Sequence, residues 1–346
     1  QEMESPEDCL IRTRGVHNEY GEAVPRGRLT IPGLPSLDDI GGESGRRQLA
    51  DWLVSKENPL TARVIVNRVW HHLFGSGLVN SVDNFGVNGS EPSHPELLDY
   101  LAYQFVEEDH WSLKSLIRRI VSSRTWQLSS RVEEESTEDS VDPANTLYWR
   151  ANFRRLDVEA FHDAVLAVSG ELDKSPPADG SLLSGAFLGS EYGKRGPDGV
   201  LLESEWTEFR HRAVYLPVIR DAIPEIFKQF DFADPNTTTG SRNARTIPGQ
   251  ALFLMNDQLV ERQANLAALR VLNMRSDSLD EALDWLGKAA HGAPFSAELK
   301  LEMKTYLNQR TAELKVEGRP AKAASEEAWT DLFQVVFSGI DFRYME

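Results

Sequence analysis

Apolar positions recur at helical spacing along most of this chain, broken by stretches rich in glycine and proline. Leu49, Trp52 and Leu53 predict a helix from Ser44 that stops near Asn58-Pro59. Thr61 reads as the N-cap of the next helix, which runs to Phe74 and ends at Gly75. Ser93-His94-Pro95-Glu96 reads as a capping box with proline in the first turn, starting a helix that carries Leu97, Leu98, Leu101 and Phe105. Ser112 is expected to cap another, with Leu113, Leu116, Ile117, Ile120 and Val121 turned inward. Further helices are predicted over residues 157–169, 248–271, 279–290, 296–313 and 325–337, with a short strand at 212–218. Trp52, Trp70, Leu97, Leu101 and Trp111 should anchor a compact helical unit over residues 44–130.

Where the periodicity fails, the composition changes. Residues 1–43 carry too much glycine and proline for helix and read as an extended arm with a short strand near Cys9. Residues 131–144 form an acidic linker or surface loop. Residues 171–211 form a long irregular excursion. The predicted fold is mainly α: a multi-helix, bundle-like domain with an extended N-terminal arm, a long central excursion and a few short β-strands. Its organisation would be an arm at 1–43 and a helical domain at 44–346, divisible into subdomains 44–170 and 212–346 around the excursion.

Composition narrows the functions open to such a chain. At 346 residues with 40% hydrophobic content it can bury a sizeable core. Its formal net charge of −17 repels phosphate backbones, so no nucleic-acid partner is expected. The single cysteine, Cys9, allows no disulfide framework and no haem-attachment sequence, so no cofactor is expected within this chain. No apolar run reaches the length of a membrane span, and no signal peptide is seen. The start at Gln1 reads as that of a fragment or processed product.

Candidate chemistry concentrates on helix 61–74. Ala62, Ile65, Val66, Val69, Trp70, Leu73 and Phe74 share one half of the wheel, and Arg63, Asn67, Arg68, His71 and His72 fall on the other. Arg63, Asn67 and Arg68 are candidate ligand-binding residues for a carboxylate, a sulfate or carbohydrate hydroxyls. The plainer reading is a solvated face whose side chains tie down the glycine loop that follows. His71, His72, Asp83 and His94 are the catalytic candidates, with histidine available for proton transfer. No spaced ligand motif supports a metal, and none is assigned. Arg242 and Arg245, ahead of Pro248, are candidates to meet an acidic ligand or to pair with Asp231 and Asp234.

The run Asn58-Pro59-Leu60-Thr61-Ala62-Arg63, with Asn67-Arg68-x-Trp70, Phe74-Gly75-x-Gly77-Leu78-Val79, Asp83-Asn84-Phe85-Gly86 and Ser93-His94-Pro95-Glu96-Leu97-Leu98, resembles a known family. It is the C-terminal domain of unknown function of large secreted planctomycete proteins, which often carry a cytochrome-c-like domain at their other end. Asp142-Pro143-x-Asn145, Arg154-Arg155-Leu156, Phe230-Asp231 and Thr246-Ile247-Pro248-Gly249-Gln250 continue the likeness, over roughly residues 40 to 346. The resemblance implies a helical fold, an extracytoplasmic setting (periplasmic or secreted) and upstream domains as partners, haem c among their cofactors. The expected function is a helical module in carbohydrate-related binding, docking or redox partnership. Two alternatives stand beside it: a catalytic domain acting on a polysaccharide or oligosaccharide through an Arg/His/Asp cleft, and a structural surface-layer or scaffold component.

Overall fold

A computed structural model describes residues 6–27, 31, 43–132, 137–177, 209–216, 218, 223, 225–242, 245–274 and 278–345. The chain is mainly helical and divides into two compact units, Gln1–Ala151 and Asn152–Glu346. Most of the expected central excursion, residues 178–208, lies outside the described residues.

The first unit opens with an antiparallel hairpin, β1 (Cys9–Arg12) with β2 (Tyr20–Val24). Four helices follow: α1 (Arg46–Leu53), α2 (Thr61–Phe74), α3 (Pro95–Tyr103), which runs on into a π-turn at Gln104–Glu108, and α4 (Leu113–Val121). Their core holds Val66, Trp70, Phe74, Leu98, Leu101, Phe105, Leu116 and Ile120. Each such side chain contributes on the order of 1.5–3 kcal/mol by leaving water. Trp52 and Trp70 are buried as the pattern predicts, while Leu97 and Trp111 pack only partly buried against the core.

Several expectations need correction. Leu49 and Leu53 are exposed because α1 is barely two turns long and offers Trp52 alone to the interior. Leu113 and Ile117 are likewise exposed, since only the Leu116 and Ile120 stripe of α4 faces inward. Thr61 does not cap α2. The buried Asn58 does so from outside, its Oδ1 accepting from the N–H groups of Leu60 (2.9 Å) and Thr61 (3.3 Å). The predicted capping box at α3 does not form either, because Ser93 turns its hydroxyl to the Leu78 carbonyl. Ser112 does cap α4, and Gly75 ends α2 in the left-handed conformation at φ 84°.

The second unit is built on α6 (Val158–Ser169), α8 (Pro248–Asn256), α9 (Gln258–Asn273), α10 (Leu279–His291), α11 (Ala297–Val316) and α12 (Ala321–Ser338); short helices α5 (Thr137–Val141, in the first unit) and α7 (Glu225–Gln229) precede α6 and α8. The most extensive helix contact joins α9 to α12. Buried Ala264, Ala267 and Ala268 on one side and Ala324 and Ala328 on the other keep that seam thin. The helix predicted over 248–271 is two helices. They part at Asp257, whose carboxylate caps α9 by accepting from Leu259 N–H at 2.9 Å. The strand predicted at 212–218 is instead a 3₁₀ turn at Ala213–Tyr215, held where Asp163 accepts the Ala213 N–H at 2.7 Å. After α12, α13 (Ile340–Arg343) leads into β4 (Tyr344–Met345), which pairs antiparallel with β3 (Arg154–Arg155). The root of the excursion is closed by a parallel bridge between Asp173 and His211.

Candidate functional site

In the first unit, the polar residues of α2 divide according to depth. Asn67, fully buried, accepts from Val79 N–H at 2.8 Å and donates to Val79 C=O at 2.9 Å. Its amide mimics a strand partner for a loop that has none, which satisfies one buried donor and one buried acceptor. Gly77 sits inside this clip, where an added Cβ would meet Val79 O at 2.5 Å and the Asn67 amide at 2.8 Å. Arg63 bonds Asp99 at 2.6 Å and the Pro59 carbonyl at 2.7 Å. Arg68 pairs loosely with Asp83 at 3.6 Å, both about half exposed. The rings of His71 and His72 meet edge to face with centroids 5.5 Å apart.

His94 goes elsewhere, to the aromatic end of α2. Its ring lies 5.9 Å from that of Tyr148, which packs edge-on against Trp70 and Phe74. Tyr148 donates its hydroxyl to the Ser76 carbonyl at 3.1 Å, and burial pushes its phenol up, so it is a neutral donor at pH 7. The loop that presents Tyr148 is held by its own side chains. Asp142 accepts from Leu147 N–H (2.7 Å) and Thr146 N–H (2.9 Å), and buried Asn145 bonds the Arg150 backbone through both ends of its amide.

Ser93 N–H donates to Leu78 C=O at 2.8 Å, and the Ser93 hydroxyl bridges that carbonyl (3.2 Å) and His94 Nδ1 (3.0 Å). Nε2 takes no hydrogen-bond partner among the described residues.

In the second unit, Arg242 grips Glu159 through two bonds, 2.7 and 2.9 Å, and lies 4.7 Å over the Phe232 ring. The bond to Glu159 raises the Arg242 pKa above its ordinary value. Arg245 meets Asp231 through its side chain (3.0 and 3.1 Å) and its N–H (3.0 Å). Asp231 is also bonded by Arg155 at 3.1 Å, and buried Gln250 ties the same knot by donating to the carbonyls of Gln229 and Arg245. On α6, Asp163 binds His162 (3.2 Å), Arg212 (3.3 Å) and Ala213 N–H. Burial opposes the Asp163 charge, but those three donors together hold its carboxyl below the usual range.

Neither Tyr148 nor the Arg155–Asp231–Gln250 knot is prominent in the chain as a site. Their signal was spacing within motifs, Asp142-Pro143-x-Asn145 and Phe230-Asp231, that carry no periodicity. Among the described residues no group of three or more His, Cys, Asp or Glu is placed to hold a metal, and no helix is long and apolar enough to cross a membrane. The motif residues gathered in these knots extend along most of the chain, and the family model of PSD1, a protein of unknown function (DUF1553), matches residues 45–307. The chain belongs to the PSD1 family. No curated protein and no solved structure matches it. The matched stretch takes in the Asn67 clip, the Ser93–His94–Tyr148 group and the Asp231 knot.

Proposed function

We propose that this chain is an extracytoplasmic helical docking module that works beside upstream domains, one of them haem-bearing, in carbohydrate-related binding. The observation carrying the docking role is that its polar motif is committed to partners within each unit. Asn67 is engaged with Val79, Arg63 with Asp99, Arg242 with Glu159 and Arg245 with Asp231, so these residues fix the loops and helices that present the surface. The upstream partners, the setting and the saccharide are supported by the likeness of residues 58–98 to secreted, cytochrome-associated proteins. The test is a polysaccharide and oligosaccharide screen of the protein with its upstream domains, reading binding, bond cleavage and haem reduction together. Binding without cleavage is expected. A haem response that survives deletion of residues 44–346 would count against redox partnership.

One observation favours a second reading, a catalytic domain acting on a polysaccharide or oligosaccharide. His94 packs its ring 5.9 Å from that of Tyr148, which gathers an imidazole and a phenol, two side chains able to move a proton, at one end of α2. Saccharide cleavage abolished by His94→Gln would establish this reading in place of the first.

A further inference from the structure

Three successive basic residues of the second unit each meet a different carboxylate. Arg210 pairs with Glu171 at 3.0 Å, His211 lies 3.6 Å from Asp173, and Arg212 pairs with Asp163 at 3.3 Å. Backbone bonds run beside these pairs. Asp173 N–H donates to Arg210 C=O at 2.8 Å, Ala213 N–H donates to Asp163 at 2.7 Å, and His211 Nδ1 donates to the Ser175 carbonyl at 3.0 Å. Residues 209–213 therefore lie as a strap along α6 and along the segment 171–175 that leaves it.

Beneath the strap is a histidine. His162, on α6, is fully buried, with Nδ1 3.2 Å from Asp163 Oδ1, and its ring lies 5.9 Å from that of Phe209 at the head of the strap. Phe209 lies the same distance from the His211 ring, so one buried phenylalanine is wedged between the two imidazoles. Asp163 thus serves twice, as the partner of His162 and as the anchor that receives Arg212 and Ala213 N–H. The strap and α6 are held by different forces. Both strap arginines are about half exposed, where salt screens their pairs, while α6 is fixed by Val158, Phe161 and Val165 in the core. A segment with exposed polar contacts and a single large apolar pin opens at lower free energy than the helix below it.

We propose that residues 209–213 are a latch that opens as a unit and uncovers the His162–Asp163 pair while α6 stays folded. Opening withdraws Phe209 from the His162 ring and releases Asp163 from Arg212 and Ala213 N–H. A histidine beside a carboxylate, a pair suited to taking up and passing a proton, is then presented to solvent in the open form alone. The latch stands on the contacts of the strap and is independent of the saccharide reading above.

Histidine carbethoxylation by diethyl pyrocarbonate, mapped by residue in the intact chain at fixed pH, tests the latch alongside amide hydrogen exchange. The double variant Arg210→Gln/Arg212→Gln removes both exposed cations and keeps the apolar pin, and Phe209→Ala removes the pin. Arg47→Gln, at a side chain 86% exposed in the first unit, is the control for general charge, and exposed His17 is the internal reference for the reagent. In the wild type His162 is expected to react far more slowly than His17, and faster when potassium chloride is added. Loss of the two half-exposed pairs should speed its modification roughly three- to tenfold, with faster exchange of the Asp173 and Ala213 amides and unchanged exchange within α6. Arg47→Gln should behave as the wild type. His162 as reactive as His17 in the wild type, or equally protected in the double variant and in Phe209→Ala, overturns the latch. Faster modification accompanied by exchange throughout α6 overturns it too, because His162 would then be reached by unfolding of the helix.

Discussion

Asn67 and Val79 exchange two hydrogen bonds, 2.9 and 2.8 Å, in the interior of the first unit. One side chain thereby closes the loop that follows α2. Replacing it with alanine leaves a buried N–H and a buried C=O unpartnered. Asn67→Ala should therefore lower stability by roughly 2–4 kcal/mol, read as a shift in the urea midpoint at unchanged slope. Asn67→Asp should rescue little of this, because a carboxylate accepts from Val79 N–H and repels Val79 C=O.

Gly77→Ala tests the same clip from the other side. The new methyl would meet Val79 O and the Asn67 amide well inside contact distance, with backbone on one side that cannot rotate away. A destabilisation of about 1–3 kcal/mol is expected by thermal unfolding. A melting point equal to that of the wild type would mean the loop is not held as described.

Asp257→Ala should loosen the junction between α8 and α9 by about 1 kcal/mol through loss of the cap on Leu259 N–H. Asp257→Asn and Asp257→Ser should recover most of it, a ranking that chemical denaturation can read directly.

The Asp163 carboxyl titrates below its ordinary range when folded, so its contribution is present above the unfolded value and is lost as pH falls through the depressed one. The stability of the wild type should decline on acidification across and below the usual aspartate range. Asp163→Asn should flatten that part of the profile, with the variants compared by denaturant midpoint at successive pH values. An unchanged acid limb in Asp163→Asn would refute the assignment.

The elements that periodicity exposes were legible in the chain; those that depend on side-chain bonding were not. Phe74–Gly75, Ser112 and Gly170 mark helix ends because one residue's conformation or cap suffices, and the structure has them there. Thr61 and Ser93 look like caps equally well, yet Asn58 and Leu78 compete for the relevant bonds and win through tertiary placement. Asp257 hides inside a continuous apolar pattern because a helix break that keeps the same buried side in register leaves the periodicity almost intact. For the candidate site, α2 could be divided into polar and apolar halves from sequence, but not the polar half into buried Asn67 and half-exposed Arg68. His94 could be named with Ser93 beside it; its Tyr148 partner lies across loops that no local pattern connects.

The bridge between Asp173 and His211 joins two distant points of the chain within the second unit. Closing a loop at a fixed pair of residues costs free energy that grows only with the logarithm of its length, about 0.6 kcal/mol for each doubling. Relatives should therefore differ freely in the number of residues inserted there while keeping the helices on either side in register. For protein engineering it is a splice point: a foreign segment inserted between Asp173 and His211 that keeps buried Phe209, which packs on His162 of α6, should leave the melting behaviour of α6 and α9 nearly untouched.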